Sequence, residues 1–409
     1  SKYITFPLWS QVAFVILFWS LLLGLFLLGP AKGLPRWFLP YLGLPLPIVS
    51  LLLFNSVMEK WGAFLMYNAP WFFSTFTQEG LLWMGTEKSL YFSLDDGKNW
   101  IHLKNNLPPV PIFGIEIQKN FNDLVVATYG RGIYILDDIT PIREFSEQVQ
   151  ASEAYLFSMR KTYRFQNING MKRDDSYVSG QNPPDGADIN YYLREKSKDS
   201  VEVFVYNADN NLIQKINGKN KSGINRVYWN LRHQDYVFPK LKTLPRGKED
   251  WVKLDEKGER SIFIYDLDIG PGITPPMNPP GVYTIVLKVN GKEYKQSLSV
   301  LKDPNSKGTS EGIVKQHDFG VKLYGSTRTT LELIGEMETM RSKLLSTKGD
   351  KKAALLEEKI YQLEAVLHDI HQTGARFDIF RNPPQILERL LAMAKESQIS
   401  SGDAPPTDQ

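Results

Sequence analysis

The chain has 409 residues, room for two to four domains, and a net charge of only +3. No stripe of Lys and Arg interleaves with aromatics, which argues against nucleic acid as a partner. There is no cysteine, so disulfides, thiolate metal sites, iron–sulfur clusters and cysteine nucleophiles are all excluded.

Residues 1–78 differ from everything after them. Residues 12–29 form an uncharged apolar run, about 27 Å long as a helix and enough for a bilayer core. A signal peptide is the alternative, but the run is long for one, only Lys2 precedes it, and no A-x-A site follows. A second apolar run, 37–54, carries Pro40, Pro45 and Pro47, so its helical part is expected over 46–57. A third stretch, 61–76, is rich in Trp and Phe and reads as interfacial. The expectation is a membrane anchor with about two transmembrane helices. Lys32 and Arg36 place the intervening loop in the cytoplasm and the remainder of the chain outside. The apolar runs hold no charge and no His, so they predict anchoring and packing against lipid and other membrane-protein subunits rather than cofactor ligation.

Residues 79–141 alternate short β-type runs with Asp-Gly and Gly-x-Gly punctuation, the pattern of consecutive antiparallel strands. Ser93, Asp95, Gly97 and Trp100 stand in the spacing S-x-D-x-G-x-x-W, an Asp-box. In such an octet the carboxylate accepts backbone N–H bonds, the glycine takes φ > 0 and the tryptophan plugs the core. Its role is structural rather than catalytic.

Residues 142–188 are polar and read as a linker. Residues 189–302 read as a β-sandwich, with alternation at 201–206 and an Asn290-Gly291 hairpin signal. A Pro-rich, charged insertion, 233–280, interrupts it and suggests a contact surface. Residues 312–398 switch to helical period: a hairpin over 321–345 and 351–371, with Asp350 as N-cap, then a short helix after Pro383-Pro384. Residues 399–409 read as a flexible tail.

The Asp-box and the run Val126-Ala127-Thr128-Tyr129-Gly130-Arg131-Gly132-Ile133-Tyr134-Ile135-Leu136 resemble the last blade of bacterial sortilin-like, Asp-box (BNR) propellers, often labelled glycosyl hydrolases. The resemblance continues through Asn182-Pro183-Pro184-Asp185-Gly186, Trp229-Asn230-Leu231-Arg232, Pro280-Gly281-Val282-Tyr283 and Ala404-Pro405-Pro406-Thr407. It implies a propeller-type blade at 79–141, an immunoglobulin-like sandwich and an extracytoplasmic setting at a bacterial inner membrane. Only one Asp-box is present, whereas a propeller needs several blades to cover both faces of each.

The fold class expected is therefore a multi-domain membrane protein: transmembrane helices, then mainly β, then a C-terminal α-helical hairpin. No Walker A, G-x-S-x-G, H-E-x-x-H, G-x-G-x-x-G or EF-hand pattern occurs. The adjacent carboxylates Asp95/Asp96, Asp137/Asp138 and Asp174/Asp175 point to opposite sides of a strand and do not face one another across a sugar. His368 and His371, at i and i+3, could share a helix face as a metal pair, against which an ordinary polar face weighs more. The sequence thus predicts no enzyme and no cofactor, but an interaction or scaffolding subunit of a larger membrane complex. The rival is glycan binding, with Trp83 and Trp251 as stacking platforms, or sortilin-like peptide binding.

Overall fold

A computed structural model describes residues 80–165, 180, 182–262, 274–347, 349–373, 378–397 and 403–406. The expected transmembrane helices of 1–78 lie outside these residues. Among the described residues no helix is long and apolar enough to cross a membrane. The expected membrane architecture is corrected accordingly: the described chain is mainly β with a C-terminal helical part.

The first unit is built from two three-stranded antiparallel sheets. One holds β1 (Leu82–Gly85), β2 (Leu90–Ser93) and β3 (Ile101–Leu103); the other holds β4 (Ile112–Gln118), β5 (Asp123–Thr128) and β6 (Ile133–Leu136). Alternation decides which side chains face inward. Trp83 and Phe92 are cross-strand partners in β1 and β2, and their rings lie 5.5 Å apart. With Ile115, Ile117, Leu124 and Val126 they form one apolar core between the sheets.

Two short helices, α1 (Thr140–Glu144) and α2 (Glu147–Ala151), lead into a sandwich. Its smaller sheet has the order β12 (Gly223–Trp229), β9 (Ala187–Leu193), β7 (Ala154–Leu156). Its larger sheet runs β11 (Leu212–Asn217), β10 (Glu202–Tyr206), β15 (Gly281–Val289), β16 (Lys292–Lys302), β8 (Thr162–Arg164). Every residue of β9 is buried, as a central strand covered on both sides requires. The β15–β16 hairpin turns on Asn290 (φ 48°) and Gly291 (φ 76°), the two positive dihedrals of a type I′ turn. Gly186 has φ 110°, and a Cβ there would sit 2.0 Å from the Trp229 carbonyl oxygen, so no other residue fits. The segment expected to be a linker instead supplies β7 and β8, and β8 pairs with β16 in parallel. Three-residue strands carry too little periodicity to be seen in sequence.

The helical part has α3 (Ser310–Ser346), α4 (Lys351–Leu367), the single turn α5 (Asp378–Arg381) and α6 (Ile386–Lys395). Asp350 caps α4 as expected, accepting from the backbone N–H of Lys352 at 2.8 Å. The insertion, which holds the two-residue strands β13 (Lys240–Leu241) and β14 (Arg260–Ser261), does not stand apart from the helices. Tyr236, Leu241 and Ile262 share a core with Tyr324, Leu331 and Ile334 of α3 and with Leu387 and Leu391 of α6. The expected flexible tail also differs: the Asp403 side chain is covered, paired with Arg164 and bonded by the Ser306 hydroxyl.

A buried ionic network crosses the helical hairpin. Arg341 of α3 donates to Glu338 (3.1 Å), to Glu357 (3.0 Å) and to Glu364 (2.9 Å) of α4. Thr243 of the insertion donates its backbone N–H (2.9 Å) and its hydroxyl (2.6 Å) to Glu338. Removing one partner leaves charges buried without compensation, which costs more than the pair itself contributes. Arg341→Met is expected to destabilise the helical part by about 3–5 kcal/mol in chemical denaturation. A loss below ~1 kcal/mol would show that the network is solvated and weak.

Candidate interaction site

The octet singled out in sequence forms a braced turn. Asp95 Oδ1 accepts from the Ser93 hydroxyl and from the Asn99 N–H, each at 2.8 Å, and Oδ2 accepts from the Asn99 side-chain amide at 2.6 Å. The Ser93 hydroxyl accepts from the Gly97 N–H at 2.8 Å. Gly97 takes φ 86°, and Trp100 packs half-buried beside it. The backbone and side-chain bonds from Asn99, then that from Ser93, hold the Asp95 carboxyl down at about 2, against an ordinary 3.8. A depressed carboxylate stabilises the fold above its unfolded pKa, and that contribution is lost as pH falls through the folded value. Asp95→Asn should therefore flatten the fall in melting temperature between pH 4 and pH 2. An unchanged acid limb would show that the turn does not contribute to stability.

The two tryptophans proposed for stacking part company. Trp83 is 1% exposed in the core, so its faces are covered and it cannot be a ligand platform. Trp251 is 80% exposed. His368 is buried with Nε2 3.0 Å from Glu364 Oε1, whereas His371 is exposed, so the two do not converge. Among the described residues no group of three or more His, Asp and Glu could hold a metal ion.

What the structure brings together is a sheet face that is apolar over β5 and β6, while on β4 the exposed Glu116 lies opposite Val125. In β5, Leu124 and Val126 point into the core, and Val125 and Ala127 lie on the opposite side. Val125 pairs with Ile135 and Ala127 with Ile133 of β6, so these four share the outer face. Ile133 is 69% and Ile135 59% exposed. Phe113 (61%) and Tyr129 (68%) stack beside them with ring centroids 5.3 Å apart. A sheet that is apolar on both sides normally has both sides covered. β6 is also an edge strand, paired only with β5 among the described residues.

A polar hub fixes this sheet to the sandwich. Arg160 reaches Asp123 of β5 and Asp188 of β9, both at 2.9 Å. The Asn190 amide donates to Asp138 Oδ2 at 2.7 Å. Arg226 donates to Asn190 Oδ1 (2.7 Å) and to the carbonyls of Asp137 (2.7 Å) and Asp138 (3.0 Å). Asp138 itself adopts φ 52°, and its N–H donates to Asp123 Oδ1 at 2.8 Å. Burial pushes the Asp138 carboxyl up, opposed by its bonds from Thr140; burial, then the charge of Asp123, does the same to Asp137. In the sequence Asp137-Asp138 reads only as adjacent carboxylates on opposite sides of a strand, and the hub is not visible. Its partners Arg160, Asp188, Asn190 and Arg226 are scattered along the chain, and no local pattern joins them.

Arg226→Met removes three bonds and leaves buried acceptors unpaired, so a loss of about 2–4 kcal/mol is expected in chemical denaturation. Lys215→Met, which breaks a half-exposed pair with Glu202, should cost less than ~1 kcal/mol. Equal effects of the two would contradict the assignment of the hub.

No known family's profile matches the chain, and no curated protein matches it. Among solved structures, a biofilm-associated protein (BSP domain) is similar at 7% identity, with a TM-score of 0.17. The match covers 56% of this chain, which spans 28% of that protein. A likeness at this level carries no argument about the site.

Proposed function

We propose that the chain is a non-catalytic interaction subunit that docks a partner protein against the outer face of β4–β6. The observation that carries this reading is the exposure of Phe113, Tyr129, Ile133 and Ile135 together on one rigidly held sheet. Aromatic and branched apolar side chains on a preorganised surface are the usual anchors of protein interfaces. The occupant is another apolar β-sheet face. β5 has apolar residues on both sides, as in strands sandwiched between layers, and in the propellers that residues 79–141 resemble such a face meets the next blade. Glycan binding is the second reading, favoured only by the exposure of Trp251. A single platform lacks the converging polar groups that fix a sugar.

Surface substitutions away from buried features usually leave stability within about 0.5 kcal/mol, and Ile133 and Ile135 are more than half exposed. The double variant Ile133→Asp, Ile135→Asp should therefore stay folded yet leave the assembly. In the organism that makes the protein, the tagged wild-type chain should migrate on native gels above its own mass, and the double variant at that mass. Leu212→Asp, on the exposed edge of β11, should stay in the assembly. Wild-type chain running alone, or the double variant remaining in the assembly, would contradict the proposal.

A further inference from the structure

His233 follows β12 at the start of the insertion, and His317 lies two turns into α3. Their Nε2 atoms are 3.2 Å apart, with the rings stacked at 5.4 Å between centroids. No step of the docking function uses this pair. We propose that His233 and His317 form a chelating site for a divalent transition-metal ion of the imidazole-binding class, such as Zn²⁺, Ni²⁺ or Cu²⁺.

The argument begins with the distance. Metal–imidazole bonds of about 2.0–2.1 Å place two cis nitrogens ~2.9 Å apart at a right angle and ~3.4 Å apart at the tetrahedral angle. The observed separation lies between these, so a metal could enter with small movements of the rings. Both residues are also anchored. The backbone N–H of His233 donates to the Pro276 carbonyl at 3.2 Å, and Pro276 packs on Gly320 of α3, where an added Cβ would lie 3.1 Å from Pro276 Cβ. Nδ1 of His317 is 3.4 Å from Asp318 Oδ1, the carboxylate–imidazole arrangement that orients metal-binding histidines.

The protonation chemistry is compatible. Burial depresses both imidazoles, so both are neutral at pH 7 and each carries one N–H. With His317 Nδ1–H directed at Asp318, its Nε2 presents a lone pair. His233 supplies the single proton between the rings. On metal binding that proton moves to His233 Nδ1, and both Nε2 lone pairs bind the ion without net proton release. Arg164, whose charge acts on His317, is paired with Asp403, which offsets that charge. The His317 side chain is 16% exposed, which leaves solvent access for water to complete the coordination. An ion held by these two donors and water would tie the insertion to α3.

The test uses the full chain, stripped with a chelator and titrated with Zn²⁺ or Ni²⁺ alone. One saturable equivalent is expected, with a rise of several °C in melting temperature at 100-fold excess over Kd. Both effects should disappear in His233→Gln and in His317→Gln. Should either variant fail to fold, diethyl pyrocarbonate labelling of wild-type protein decides: Zn²⁺ should protect His233 and His317 and leave the exposed His102 and His371 reactive. No binding by the wild type, unchanged binding in folded variants, or no protection of this pair would each overturn the proposal.

Discussion

The hydrogen bonds that converge on Asp138 are the constraint on which the arrangement of the β units depends. The carboxyl is buried beside Asp188, where an unpartnered group would be costly, and it accepts from Thr140 at the start of α1 and Asn190 of β9, while the Asp138 backbone carbonyl accepts from Arg226 of β12. Such a hub is satisfied only in one relative placement of the two units. It therefore acts as a locating pin, whereas the apolar cores on either side are tolerant of small shifts. Arg160 adds a second pin a short distance away, bonded to the Phe121 carbonyl at 3.1 Å as well as to its two aspartates.

The same device recurs at the other end of the chain. Arg341 and its three glutamates hold α3 to α4, and Glu338 in turn accepts from Lys242 and Thr243 of the insertion. The insertion, a continuation of the sandwich in sequence, thereby becomes part of the helical core in space. Arg164 and Asp403 close the remaining gap between the sandwich and the end of the chain. Each junction pairs an arginine with carboxylates. The guanidinium fork can satisfy several acceptors in fixed geometry, which a lysine cannot. Such junctions bear on the proposed function: with the sheet β4–β6 pinned to the sandwich, the proposed partner would meet Phe113, Tyr129, Ile133 and Ile135 on a preformed surface.

Local physics was legible in the sequence and long-range pairing was not. The Asp95 turn, the Asn290-Gly291 hairpin and the Asp350 cap each depend on residues within four or five positions of one another. The punctuated β-type runs of 79–141 and the period-two run at 201–206 marked strands, and the helical period marked α3 and α4. β7 and β8 escaped because three residues carry no period, and the packing of the insertion on the helices was not legible because Tyr236, Leu241 and Ile262 meet partners 62 to 155 residues further along the chain. Trp83 as a platform failed for a related reason: an aromatic in an alternating run is read as exposed or buried only once the facing sheet is known. The outer face of β4–β6 was written in the sequence as the alternation Val125, Ala127, Ile133, Ile135. Its significance appears only when the second sheet is seen to cover the other side.

The most direct measurement is site-specific photo-crosslinking in the organism that makes the protein, with benzoylphenylalanine in place of Ile133 and, as control, in place of Lys215 on the sandwich. The account predicts one discrete adduct from position 133, mapped by mass spectrometry to alternate residues of a β-strand in a single partner, and none from position 215. No adduct at 133, or the same adducts from both positions, would contradict the claim that this sheet face is where the protein docks.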